Sequence, residues 1–178
     1  MGYPYYFDVI ENAILDINQI QRFDRLVISV DSEEMTKQEK YNEISTFLSG
    51  KTCIAEMRIV IQHFCFETWA LGNRKVIRPN PSLNQLREYK NLFDVRVNDP
   101  ELLPPKPDEG LNRAKFAEKY LRLALNDKFR NLTYTKSNPQ ALVHEKYFAQ
   151  VKSRFEETDH ITSFGDFFNA FVYSSFTK

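Results

Sequence analysis

The sequence predicts an α/β protein: a small, mainly parallel sheet flanked by helices, followed by a helical C-terminal part. Three observations carry this. Two short, β-branched apolar runs, RLVISV (25–30) and MRIVI (57–61), have the composition of strands covered on both faces. The connection between them, residues 32–50, shows helical spacing and is long enough for the crossover that parallel strands require. Beyond Gly72 the strand signals fade and helical periodicity takes over. With 178 residues, enough for one continuous core, the expected organisation is a single domain, 1–178, with an α/β core over 1–78 and a mostly helical extension over 79–178.

The elements follow in chain order. Val9, Ile10, Ala13, Ile14 and Ile17 recur at helical spacing, with Asp8 as the expected cap of a helix from about Asp8 to Gln19. RLVISV is the first strand, ended by Asp31. SEEMTKQEKYNEISTFLSG supplies the crossover helix, with Ser32 as a candidate N-cap and Gly50 as its stop. TCIAEMRIVIQ is the second strand, and Cys65–Leu71 a short helix closed by Gly72. A helix over Ser82–Leu92 precedes NDPELLPPKPDEG, a proline-rich loop that cannot form regular structure. Leu111, Ala114, Ala117, Tyr120, Leu121, Ala124 and Leu125 mark the strongest helix, and two more should open at Asn138-Pro139 and at Thr162-Ser163.

Composition excludes several classes. Lys plus Arg and Asp plus Glu each total 24, so no global basic field draws the chain to nucleic acid; a charged partner must be met locally. Fifteen Phe and nine Tyr argue against disorder. Cys53 and Cys65 form neither a disulfide scaffold nor a CxxC zinc pattern, which points to a cytoplasmic setting. No apolar run approaches the roughly 18 residues of a membrane span. GxxxxGK[ST], HExxH and GxSxG are all missing, which removes P-loop ATPases, zincins and α/β-hydrolases.

Three stretches can carry chemistry. In VISVDSEE, Asp31, Glu33 and Glu34 stand at the carboxyl end of a parallel strand, where open α/β sheets bind ligands, and could hold Mg²⁺ through carboxylate oxygens. Glu33 and Glu34 also suit the first turn of a helix capped by Ser32, which needs no metal. In QHFCFETW, Gln62, His63 and Glu67 follow the second strand and so reach the same edge; Asp31 and Glu67 should face one another there. An unpaired Glu67 in such apolar company is costly, and Arg74 or Lys75 would have to fold back to pair with it. A lone His63 is more often a hydrogen-bonded structural residue than a ligand, and Phe66 and Trp69 are more often core than a binding surface. In NLTYTKSNPQALVHEKYF, Tyr134 and Lys136 could contact a phosphate, although surface lysines are common.

This order of features, a helix, a strand ending SVDSEE, a crossover helix, a second strand, HFCFETW and a late YTK, resembles the RloB-like proteins and a related group, variants of the Toprim fold. Asp31 and Glu33 match that family's acidic pair, Phe66, Glu67 and Trp69 its Phe-Glu-x-Trp segment, and Tyr134 and Lys136, loosely, its Tyr-x-Lys. The resemblance implies a metal-dependent nuclease-type activity on nucleic-acid phosphodiesters in anti-phage defence, often with an ATPase partner. Asp31, Glu33 and Glu67 would be catalytic, with Asp31, Glu33 and Glu34 on Mg²⁺ or Mn²⁺, and His63 and Lys136 would bind substrate. Toprim domains open with a strand ending in a catalytic glutamate, whereas this chain starts at what should be the following helix; Glu11 on that helix is a poor substitute. The alternative expectation is therefore a catalytically inactive Toprim-like interaction module.

Overall fold

The computed structural model describes residues 5–129 and 134–171. Helix α1, Tyr6–Ile20, precedes strand β1, Arg25–Asp31; helix α2, Lys37–Leu48, crosses over to strand β2, Glu56–Gln62. The two strands pair in parallel, with Arg25 opposite Glu56 and Asp31 opposite Gln62. Helices α3 (Phe66–Ala70), α4 (Asn84–Leu92), α5 (Arg113–Lys128), α6 (Glu145–Thr158) and α7 (Thr162–Phe171) complete an α/β architecture whose described residues hold one two-stranded parallel sheet. The proline-rich stretch contributes two 3₁₀ turns, Pro100–Leu102 and Pro107–Glu109, and a single antiparallel bridge from Lys106 to Leu111. No helix of the described residues is long and apolar enough to cross a membrane.

Alternation along the strands sends side chains to two separate cores. On one face Leu26, Ile28, Val30, Met57, Ile59 and Ile61 meet Ile10 and Ile14 of α1 and Ile44 and Leu48 of α2. On the other, Val27 and Val60 pack with Trp69, Val151, Ile161 and Phe164. A third cluster lies away from the sheet, where Leu71, Val76 and Ile77 pack on Leu86, Phe116, Tyr120, Leu121 and Leu125. Its rings Tyr89, Phe116 and Tyr120 sit 4.8–5.8 Å apart, edge-on or stacked. Each such fully buried side chain contributes about 1.5–3 kcal/mol.

Three expected helix starts move, each because a stronger local bond wins. Helix α1 starts at Tyr6, so Asp8 lies within its first turn and is not the cap. Helix α2 starts at Lys37 and not after Ser32: Thr36 and Glu39 form a reciprocal capping box, while Ser32 donates its N–H to the Gln62 carbonyl at 2.9 Å and extends the sheet. Glu33 and Glu34 therefore occupy a turn, Glu33 at φ 51°, and are not held there by a helix dipole. Asn138 closes a tight turn onto Thr135 and a 3₁₀ turn follows; α6 opens later, where the His144 ring accepts the Lys146 N–H at 3.1 Å.

A candidate functional site at the carboxyl edge of the sheet

The carboxyl ends of two parallel strands lie on one edge by construction, and the chain leaves that edge through two turns that bring acids to it. Asp31 is the last residue of β1; Glu67 is the second residue of α3, five residues after β2 has ended at Gln62. The Glu67 side chain is buried, at 2 % exposure. The residue that accompanies it is not Arg74, which goes to Glu157 at 3.0 Å. It is Tyr134, itself 2 % exposed, whose hydroxyl donates to Glu67 Oε1 at 2.7 Å.

Electrostatics show how these groups converge. Burial, then the nearby Glu67 charge, pushes the Asp31 carboxyl from 3.8 up to about 6; Glu33 adds to this, while Lys136 and the Phe66 backbone N–H oppose it. Partial burial disfavours the Lys136 ammonium, but the charges of Glu67, Glu118 and Asp31 outweigh it and hold its pKa above the usual value. Burial followed by Glu67 pushes up both the Cys65 thiol and the Tyr134 hydroxyl, so each stays protonated. The arrangement is a desolvated carboxylate pair countered by one ammonium and one phenol. Two close carboxylates with one such cation carry surplus negative charge, which a further cation or a shared proton relieves.

Not every expected residue joins. Glu33 is exposed and reaches the cluster only through its charge on Asp31; its backbone N–H goes to the Phe64 carbonyl at 2.8 Å. Glu34 turns to α5, where its carboxylate accepts the Arg113 N–H at 3.0 Å. His63 bonds through Nδ1 to Ser32 Oγ at 2.9 Å, and the charges that act on it are those of Lys37, Arg113 and Asp99. Burial first, and then Lys37 and Arg113, push its pKa down to about 4, so it is a neutral imidazole near pH 7 and a poor proton carrier there. Trp69 is core, its indole N–H donating to Ser163 Oγ at 2.6 Å, whereas Phe66 is 43 % exposed.

Two contributors went unnoticed in the sequence. Glu118 shares a face of α5 with Ala114 and Leu121 at i, i+4 and i+7, and a carboxylate within that apolar stripe was the readable signal. Arg113 opens α5 with its guanidinium 4.7 Å from the centre of the Phe64 ring, a placement that no local pattern announces.

The donor set bears on the Mg²⁺ expectation. Among the described residues no group of three or more His, Cys, Asp or Glu side chains is gathered so as to hold a metal ion, and the Asp31–Glu33–Glu34 set is dispersed as described. The Asp31–Glu67 pair with its surplus charge is the part that fits a hydrated cation, since Mg²⁺ commonly takes only one or two carboxylates and keeps waters and substrate phosphate in its other positions. Comparisons of the chain with family models, with curated proteins and with solved structures find no match, so the edge geometry and its charges stand as the basis for a functional reading.

Proposed function

We propose that this chain is a Toprim-like protein, akin to the RloB-like group, that engages a nucleic-acid phosphodiester at the carboxyl edge of β1 and β2. The observation that carries this reading is the convergence of Asp31 and Glu67, from two separate strand ends, beside Tyr134 and Lys136. Lys136 is mostly exposed and offers a point charge to a phosphate oxygen. Asp31 and Glu67 would hold Mg²⁺ or Mn²⁺, which when bound neutralises phosphate charge and lowers the pKa of water. Tyr134 holds the Glu67 carboxylate in place, and burial keeps Asp31 poised near neutrality. An ATPase partner in a phage-defence setting belongs to the same proposal.

The second reading is an inactive interaction module. It is favoured by the paucity of proton carriers: His63 is bonded away from the cluster, and Cys65 and Tyr134 hold their protons. One titration separates the two. Cleavage of labelled single- and double-stranded DNA and RNA is followed with Mg²⁺, with Mn²⁺ and with chelator, alongside thermal melting. The nuclease reading expects metal-dependent cleavage lost by about 10²-fold or more in Asp31→Asn and Glu67→Gln, and a metal-induced rise in melting temperature that the same variants lack. Metal-induced stabilisation without cleavage identifies the module; neither effect retires the metal site.

A further inference from the structure

Among the described residues the outer edge of β2 has no strand partner. Glu56 N–H bonds to the Asp24 carbonyl and Ser32 N–H to the Gln62 carbonyl, both at 2.9 Å. This phase turns the backbone groups of residues 56, 58, 60 and 62 toward β1, so those of Met57, Ile59 and Ile61 point away from it. Among the described residues nothing meets these outward N–H and C=O groups. An open strand edge presents a row of N–H and C=O groups that pairs best with another strand.

A groove of about 520 Å³ runs along that edge. Its floor is Arg58–Ile61 of β2; one wall is α2, with Lys37 and Tyr41, and the other is α7, with Asp166 and Asn169. The helices belong to opposite faces of the sheet, because Ile44 and Leu48 of α2 pack on the Ile59 and Ile61 side and Phe164 of α7 on the Val60 side. They meet around the edge of β2, where Lys37 reaches Asp166 at 2.9 Å. Both partners of this clasp are substantially exposed, and such a pair contributes little, so opening it is cheap.

We propose that the groove is a strand-docking site that takes a short extended segment of a partner protein by β-augmentation. The outward groups from Met57 to Ile61 cover about 13 Å at ~3.3 Å per residue, which matches a segment of roughly five residues. A second copy of this chain does not suit it: its own β2 carries α2 and α7 and cannot enter a slot walled by the same helices. Pairing along five residues of edge also buries far less than the about 1,000 Å² that a stable association of folded subunits requires. The segment has alternating chemistry. Residues on the α2 side continue the Ile59 and Ile61 layer, beside Tyr41 and Lys37, and are apolar or aromatic; those on the α7 side meet Asn169, Asp166 and Arg58 and are polar. Proline is excluded where its nitrogen faces β2.

The test selects short random peptides displayed on phage against the whole chain and measures binding of the selected sequences as synthetic peptides. Two variants report on the groove. Asn169→Trp fills it from an exposed position on α7, and Ile59→Pro removes one outward N–H without touching the ladder to β1. The expected result is an alternating apolar–polar consensus, a loss of affinity of about tenfold or more in each variant, and slowed hydrogen exchange at the amides of Ile59 and Ile61 when peptide is bound. Should Ile59→Pro unfold, the Asn169→Trp and exchange results decide. Failure to select any binder, binding indifferent to Asn169→Trp, or Ile59 and Ile61 amides already protected in the chain alone or through a concentration-dependent dimer would each overturn the proposal.

Discussion

Two buried carboxylates, Glu101 and Glu67, sit at 6 % and 2 % exposure and are held in opposite ways. Glu101 lies in the 3₁₀ turn Pro100–Leu102 and accepts from the Ser163 N–H at 2.9 Å, the Ser163 hydroxyl and the Thr162 hydroxyl at 3.0 Å. All three donors come from the first two residues of α7, so one short contact satisfies the acid and caps the helix. Among the described residues Glu67 accepts one strong bond, from Tyr134, with the Cys65 thiol as a weaker donor, and it feels the charge of Asp31, with Lys136 exposed nearby. A saturated carboxylate has nothing left to offer a ligand, and its role is architectural. A carboxylate pair with surplus charge costs stability at rest and gains from an incoming cation, which is the usual condition of a functional site.

The contrast breaks most sharply at Glu101. Glu101→Ala leaves the buried Ser163 N–H and hydroxyl without an acceptor and uncaps α7, and should cost about 3 kcal/mol in urea denaturation. Any activity measured per folded molecule should be unchanged. A cost near zero would show that the donors find other partners and that the two acids are not so different.

Asp31→Asn should move stability the other way. Because the folded pKa of Asp31, about 6, lies above its ordinary 3.8, the group's stabilising protonated form is fully present below about pH 4 and is lost as pH rises through 6. At pH 8 the wild type carries a desolvated carboxylate that the amide variant lacks. The variant should therefore be more stable at pH 8 by on the order of 2 kcal/mol, with the difference vanishing near pH 4. Denaturant midpoints across this range check it, and a pH-independent difference would remove Asp31 as the strained member of the pair.

The smallest effect concerns Tyr134. Tyr134→Phe keeps the ring and removes the donor to Glu67, for an expected loss of about 1 kcal/mol. Combined with Glu67→Gln the loss should be less than the sum of the single losses, since the two groups share one bond. Additive losses would mean that Tyr134 contributes by packing alone.

Much of this was legible in the chain. The runs at 25–30 and 57–61 and the connection between them announced two parallel strands, because side-chain branching and connection length act locally. That same logic put Asp31 and Glu67 on one edge before any contact was known. Helix starts were less legible: Thr36 displaced Ser32 as the cap of α2 because Ser32 had become part of the sheet, a long-range event with no local trace. Only the tertiary structure could supply Tyr134 to Glu67, a partner 67 residues away, or gather Lys136 and Glu118 around them while sending Glu34 to α5 and His63 to Ser32. Local sequence determines which residues carry charge and which segments pair or coil; which charges share a desolvated space depends on how those segments pack, and there the competition among partners is decided by distance.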